Sequence, residues 1–266
     1  MEGRAASGRE RAAPPTRRVH WGAMSDVVAP MTPPGPRALG SLRFFGWLLE
    51  GRLARGEQPL LDTDDLALLR RAGVTDVVSL REAVDRAKPA RERPLPAYRV
   101  EEEATGCAAV GLGFHHVACT DYVAPAPEEV AAALRLLDRL GAAERAVFVH
   151  CAAGMGRTSV VTAAWLVARG WSGDAVAGVH DRWLLALDAL LGPQTREERL
   201  AHHRRVGRPA FWWALRQVAQ ALGSPIRGRF ASAEEIETLG LEGPPARTEG
   251  WEGRYHEALR PWRRAG

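Results

Sequence analysis

The run Val147-Phe148-Val149-His150-Cys151-Ala152-Ala153-Gly154-Met155-Gly156-Arg157-Thr158-Ser159 puts a thiol, two glycines and a guanidinium into one short segment. A free cysteine with a pKa of about 8.5 is only a few per cent thiolate at neutral pH, so a nucleophilic sulfur needs positive electrostatics around it. The segment offers three sources. As a strand, a loop and a helix start, it aims unpaired N-terminal amides and the positive end of a helix dipole at whatever the loop holds. Gly154 and Gly156 are expected to take positive φ and turn successive N–H groups inward as an anion nest. Arg157, six residues after Cys151, can set its planar fork against two phosphate oxygens. The candidate nucleophile is therefore Cys151, and the candidate phosphate-binding residues are Ala152, Ala153, Gly154, Met155, Gly156 and Arg157. His150 can orient the loop, and the Thr158 hydroxyl can serve the sulfur as it departs in a second step. The competing reading of Cys151, a small buried hydrophobe at a strand end, leaves His150, both glycines and the Arg157-Thr158 pair unexplained.

A phosphate ester attacked by sulfur also needs a proton for its leaving oxygen. Asp121, in Ala118-Cys119-Thr120-Asp121-Tyr122-Val123-Ala124-Pro125, is the candidate acid. It follows the expected Phe114 to Ala118 strand and precedes a proline that fixes the chain. If the strands before Asp121 and Cys151 are adjacent and parallel, both residues meet at the carboxyl ends of the strands, where such sheets bind ligands. An Asx turn or a helix cap is the alternative for Asp121. Glu101, Glu102, Glu103 and Asp85 are rival acids without this placement.

His150 to Thr158 resembles the H-C-x5-R-T loop of the protein tyrosine phosphatase superfamily, and the form with Gly154 and Gly156 resembles its dual-specificity branch. Gly51-Arg52-Leu53-Ala54-Arg55-Gly56-Glu57-Gln58-Pro59 is similar to the opening strand-turn of that branch, and Val78-Ser79-Leu80-Arg81 to its strand ending in Leu-Arg. The resemblance spans residues 42–205. It implies a thiophosphate intermediate on Cys151, proton donation and then base catalysis by Asp121, and neither a metal nor another cofactor. The implied substrates are phosphotyrosine, phosphoserine or phosphothreonine in proteins, or a small phosphorylated molecule. An inositol-phosphate or phosphoinositide phosphatase has the same chemistry, although the neutral Ala152, Ala153 and Met155 favour a less charged substrate. A sulfurtransferase needs neither Asp121 nor Thr158. A non-catalytic phosphate-binding module would be expected to have lost Cys151, Arg157 or Asp121, and all three are present.

These residues require a scaffold, and the hydrophobic pattern supplies one. Asp62-Thr63-Asp64-Asp65 opens a helix that Gly73 stops, and Val74 to Leu80 suits a buried strand. Glu101 to Val110 reads as a helix, Phe114 to Ala118 as a strand, and Ala146 to Val149 as another. Pro127 begins a helix with Val130, Ala133, Leu134, Leu137 and Leu140 as its buried stripe. Thr158 to Arg169 is apolar nearly all round, as a central helix should be. Alternating strands and helices give an α/β class: a mostly parallel sheet of four to five strands flanked by helices, cysteine-phosphatase-like, with a helical C-terminal extension. The expected division is a disordered leader over residues 1–40, a catalytic domain over 41–208, and an extension over 209–266. Helices over Phe211–Leu222 and Ala233–Leu239 and four tryptophans (212, 213, 251, 262) indicate that the extension packs on something.

Composition excludes several other classes. The 266 residues are 46% hydrophobic and 26% charged, as in soluble globular proteins. Of the net charge of +4, residues 1–23 supply most, with five arginines against Glu2 and Glu10, so the rest is near neutral and gives no footprint for nucleic acid. The apolar runs fall short of the roughly 18 residues that span a bilayer, and a cytoplasmic location is expected. Cys107, Cys119 and Cys151 form no C-x-x-C pair, which disfavours a disulfide framework. His115 and His116 lack partners at metal-ligand spacing. Cys119 could pair with Cys151 on oxidation. Arg81 and Arg182 read as structural ion-pair residues, and His202-His203-Arg204-Arg205 as a solvated helix face.

Overall fold

Six short strands assemble into one sheet in the computed structural model, which describes residues 35–83, 99–238, 245 and 248–263. The strands are β1 (Arg37–Leu39), β2 (Leu42–Leu49), β3 (Leu53–Gly56), β4 (Asp76–Ser79), β5 (Gly113–His116) and β6 (Val147–His150). Across the sheet they run β1-β2-β3-β6-β4-β5. The first two pairings are antiparallel, and the three joining β3, β6, β4 and β5 are parallel. The class is α/β as expected, but with six strands among the described residues rather than four to five. The additional strands lie at the N-terminal side. Arg37–Leu39, inside the stretch expected to be a disordered leader, pairs with β2; residues 1–34, and Asp85 among the rival acids, lie outside the described residues.

Nine helices among the described residues flank the sheet: α1 (Asp65–Arg71), α2 (Val100–Ala109), α3 (Pro127–Ala142), α4 (Arg157–Ala168), α5 (Gly173–Leu191), α6 (Arg196–Arg205), α7 (Arg208–Ala221), α8 (Ala231–Thr238) and α9 (Trp251–Ala258). Their starts follow from local chemistry. Pro127 occupies the first turn of α3, while the Glu129 carboxylate accepts from the Ala126 amide. The Ser172 hydroxyl caps α5, and Thr195 with Glu198 forms a reciprocal box at α6.

Two apolar layers result. Leu66 and Leu69 of α1 and Cys107 of α2 pack with Phe45, Val77 and Phe148 on one side of the sheet. On the other, α3, α4, α5, α7 and α9 share one cluster that contains both Cys151 and the extension residues Trp212, Trp213, Tyr255 and Leu259. The border expected at residue 208 therefore falls within one continuous core, with α7 laid along α4. No described helix is long and apolar enough to cross a membrane.

Candidate active site

β6 ends at His150, and α4 begins at Arg157, so residues 151–156 form the expected strand–loop–helix connection. The first turn of α4 has no acidic residue and no side-chain cap, which leaves its amides for the loop and any anion beside it. Gly154 has φ +72°, and a Cβ there would lie 2.2 Å from the Gly56 carbonyl oxygen, so only glycine fits. Gly156 departs from expectation: its φ is −94°. Its reason for being glycine is close approach, because a Cβ would meet the Phe211 ring at 2.3–2.5 Å. The turn onto β3 is tied by the Gln58 amide donating to the Ala152 carbonyl at 2.8 Å.

His150 is fully buried beneath this loop. Its Nδ1 lies 3.0 Å from the Cys151 carbonyl oxygen and its Nε2 lies 2.7 Å from Glu103 Oε1. Glu103, a rival acid on sequence grounds, is thus occupied below the loop, where Ser79 at 3.2 Å and Arg81 at 3.4 Å also reach it. Burial works against its charge, but His150 and Arg81 outweigh that and hold the carboxyl below its ordinary range. Glu101 and Glu102 are exposed on the outside of α2.

Arg157 is buried at the head of α4. Its Nη1 donates to the carbonyl oxygens of Leu80 (3.2 Å) and Cys119 (3.0 Å), and its Nη2 stands 2.9 Å from Asp121 Oδ1. The ends of β4, the segment after β5 and the head of α4 therefore converge through one guanidinium. The strands leading to Asp121 and Cys151 are not adjacent, contrary to expectation, since β4 lies between β5 and β6. Arg157 spans that interval. Asp121 Oδ1 also accepts from the Tyr122 amide at 3.0 Å, and Tyr122 has φ +61°. The Thr158 hydroxyl is buried and has no hydrogen-bond partner among the described residues. It makes no bond to the Cys151 sulfur in this arrangement.

Cys151, Asp121 and Arg157 line one open cleft. Ala152, Ala153, Met155 and Gly156 line the same cavity. Its remaining wall is mostly apolar: Phe44 of β2, Tyr122, Leu187 of α5, Val206, and Phe211 of α7. His180, Arg43 and Arg208 also face it. Arg43 is paired with Glu57 at 2.9 Å and Arg208 with Asp188 at 3.0 Å. Half of this wall comes from residues beyond 180, which no loop motif marks.

Sequence reasoning also missed a layer under the loop. Arg55, buried on β3, donates through Nη2 to the Gly154 carbonyl and to Ser159 Oγ. Ser159 in turn donates to the Met155 carbonyl (2.6 Å), and His180 Nδ1 lies 2.8 Å from its oxygen. Burial first, then Arg55 and Arg208, push His180 down to about 3, so it is neutral. The ring stacks on Trp212 at 5.6 Å between centroids. A charged residue inside an apolar strand was the available signal for Arg55.

The weaker candidates resolve into structural roles. His115 Nε2 pairs with Asp76 at 3.0 Å, and His116 Nε2 contacts the Arg81 carbonyl at 2.8 Å. Arg81 pairs with Glu103, while Arg182 is exposed. Burial pushes the Cys119 thiol well above its ordinary value, with Glu129 adding to the effect. His202 and His203 are not a solvated face: both are buried, and His203 Nε2 lies 2.9 Å from Arg208 and 3.5 Å from Glu235.

Residues 56–171 match the family model described as "Polymorphic toxin system, DSP-PTPase phosphatase". Among solved structures, the chain is similar to a DUF442 protein of Shewanella putrefaciens CN-32 described as a candidate phosphatase. The two are 20% identical over 64% of this chain and 97% of that one, with a TM-score of 0.45. The core catalytic domain of the PP-IP phosphatase SIW14 of S. cerevisiae is 15% identical over 60% and 92% of the two chains, with a TM-score of 0.40. TpbA of P. aeruginosa is 23% identical over 57% and 85%, with a TM-score of 0.36.

Proposed function

We propose, from the premise that residues 56–171 are a phosphatase domain of the protein tyrosine phosphatase and dual-specificity superfamily, that the chain hydrolyses phosphate monoesters on proteins through Cys151. The observation that carries this reading is the Arg157 guanidinium, held by two carbonyls and by Asp121 beside the cavity that Cys151 lines.

The chemistry runs in two steps. Cys151, as thiolate, attacks phosphorus while the ester oxygen departs, and Asp121 donates a proton to that oxygen. Water then attacks the thiophosphate with Asp121 as base, and the sulfur leaves as thiolate. Arg157 holds two non-bridging oxygens throughout, together with the loop amides. Asp121 and a phosphate compete for the same guanidinium. Once the fork turns to the phosphate, the Asp121 carboxyl is released from the pair to face the leaving oxygen.

The apolar wall supports an aromatic leaving group. Phe44, Tyr122, Leu187 and Phe211 offer ring and aliphatic surface, and the flanking Arg43 and Arg208 already hold carboxylates. Phosphotyrosine fills such a wall better than phosphoserine, while highly charged inositol phosphates find few uncommitted cations. The test is release of phosphate from aryl phosphates and phosphopeptides. Cys151→Ser should abolish it, and substantial remaining turnover refutes the assignment. Asp121→Ala should slow poor leaving groups by about 10²–10⁴; an unchanged rate moves the acid elsewhere.

A further inference from the structure

Arg55 sits on β3 with 1% of its surface exposed. Its contacts are the Gly154 carbonyl, the Ser159 hydroxyl at 2.7 Å and the face of Trp183, whose centroid lies 4.2 Å from Cζ. None of these carries a negative charge. Among the described residues no carboxylate pairs with it, whereas every other guanidinium around the loop has one. Arg157 pairs with Asp121, Arg81 with Glu103, Arg208 with Asp188 and Arg43 with Glu57. A buried, uncompensated cation is among the costlier arrangements in a protein interior, so a counter-charge is required.

We propose that the counter-charge of Arg55 is the Cys151 thiolate, which makes Arg55 the positioning residue that keeps the nucleophile ionised. The inference rests on Cys151 being the nucleophile, as proposed above. The surrounding charges leave this role to it. On the sheet side, His150 is opposed by Glu103. From the acid loop, Asp121 cancels much of Arg157, and Cys119 is held protonated by burial. From α5, His180 is neutral, and from α7, Arg208 is balanced by Asp188. Burial lowers Arg55 toward about 9, and Cys151 acts in the opposite direction. Through its bond to the Gly154 carbonyl, Arg55 also fixes the loop at the position of positive φ.

The experiment is alkylation of Cys151 by iodoacetamide from pH 4 to 9, read peptide by peptide on the full chain. Arg55→Met should raise the midpoint by about one unit or more, slowing alkylation by roughly tenfold at pH values well below the parent midpoint. Arg55→Lys, which keeps the charge, should stay much closer to the parent. A midpoint unmoved in Arg55→Met overturns the proposal, as does an equal shift in Arg55→Lys. Should Arg55→Met fail to fold, Arg55→Gln keeps a donor for Gly154 and is judged by the same two outcomes. Alkylation needs no turnover. A parent chain that releases no phosphate yet shows an Arg55-dependent midpoint loses the phosphatase reading alone. An active chain with an Arg55-independent midpoint loses only the present inference.

Discussion

Gly154 and Gly156 are two residues apart, and they are glycine for different reasons. At Gly154 both the positive φ and the Gly56 backbone exclude a side chain, and backbone cannot step aside. At Gly156 the obstacle is the ring of Phe211, a side chain. Gly154→Ala should therefore cost about 1–3 kcal/mol by thermal denaturation and weaken vanadate binding. Gly156→Ala should be comparably damaging alone but largely restored in a Phe211→Ala background. Restoration of Gly154→Ala by the same second change would show that the loop is misread. The sequence pattern picked out both glycines. It could not distinguish their reasons, because Phe211 is 55 residues away along the chain.

At the scale of elements, the loop that carries Asp121 is gripped by segments from the far end of the chain. Gly207, with φ +69°, opens α7 so close to Tyr122 that a Cβ would lie 2.5 Å from the Tyr122 carbonyl oxygen. The Tyr255 hydroxyl of α9 donates to the Pro125 carbonyl, and Arg254 pairs with Glu128 at 2.7 Å. Tyr255→Phe removes that bond and should cost about 1 kcal/mol of stability. Its more specific effect should be on the acid role proposed for Asp121: turnover of poor leaving groups falls, while that of good ones, which need no proton, holds. Equal losses for both would mean that α9 merely stabilises the fold.

For the whole molecule, acid is the sensitive direction. His180 and His203 are both lowered to about 3, by burial first and then by neighbouring cations. Below pH 6.5 the unfolded chain takes up protons that the folded one refuses, so their contribution is complete above 6.5 and declines as pH falls toward 3. For His180 alone this amounts to about 2 kcal/mol by pH 5. Asp76 adds a later loss. Burial opposes its charge, but His115, Thr75 and Arg145 together lower it to about 2, and its contribution disappears as pH falls from about 4 through that value. Urea unfolding at pH 7.5 and 5 should show the first loss, and His180→Gln should flatten it. Equal stability at the two pH values would rule out these histidines as buried and neutral.

What the sequence determined by itself was local: the loop and its thiol, the helix behind it, the alternation of strands and helices, and an aspartate in a loop before a proline. Each is written within a dozen or so contiguous residues, where spacing fixes geometry. The tertiary structure alone decided the rest. It placed β4 between the strands leading to Asp121 and Cys151, and it buried Glu103 and Arg55 under the loop. It also merged the extension into the wall and core of the site. Those outcomes depend on which surfaces far apart in the chain exclude water from one another, and hydrophobic burial, being non-directional, leaves no motif at either end.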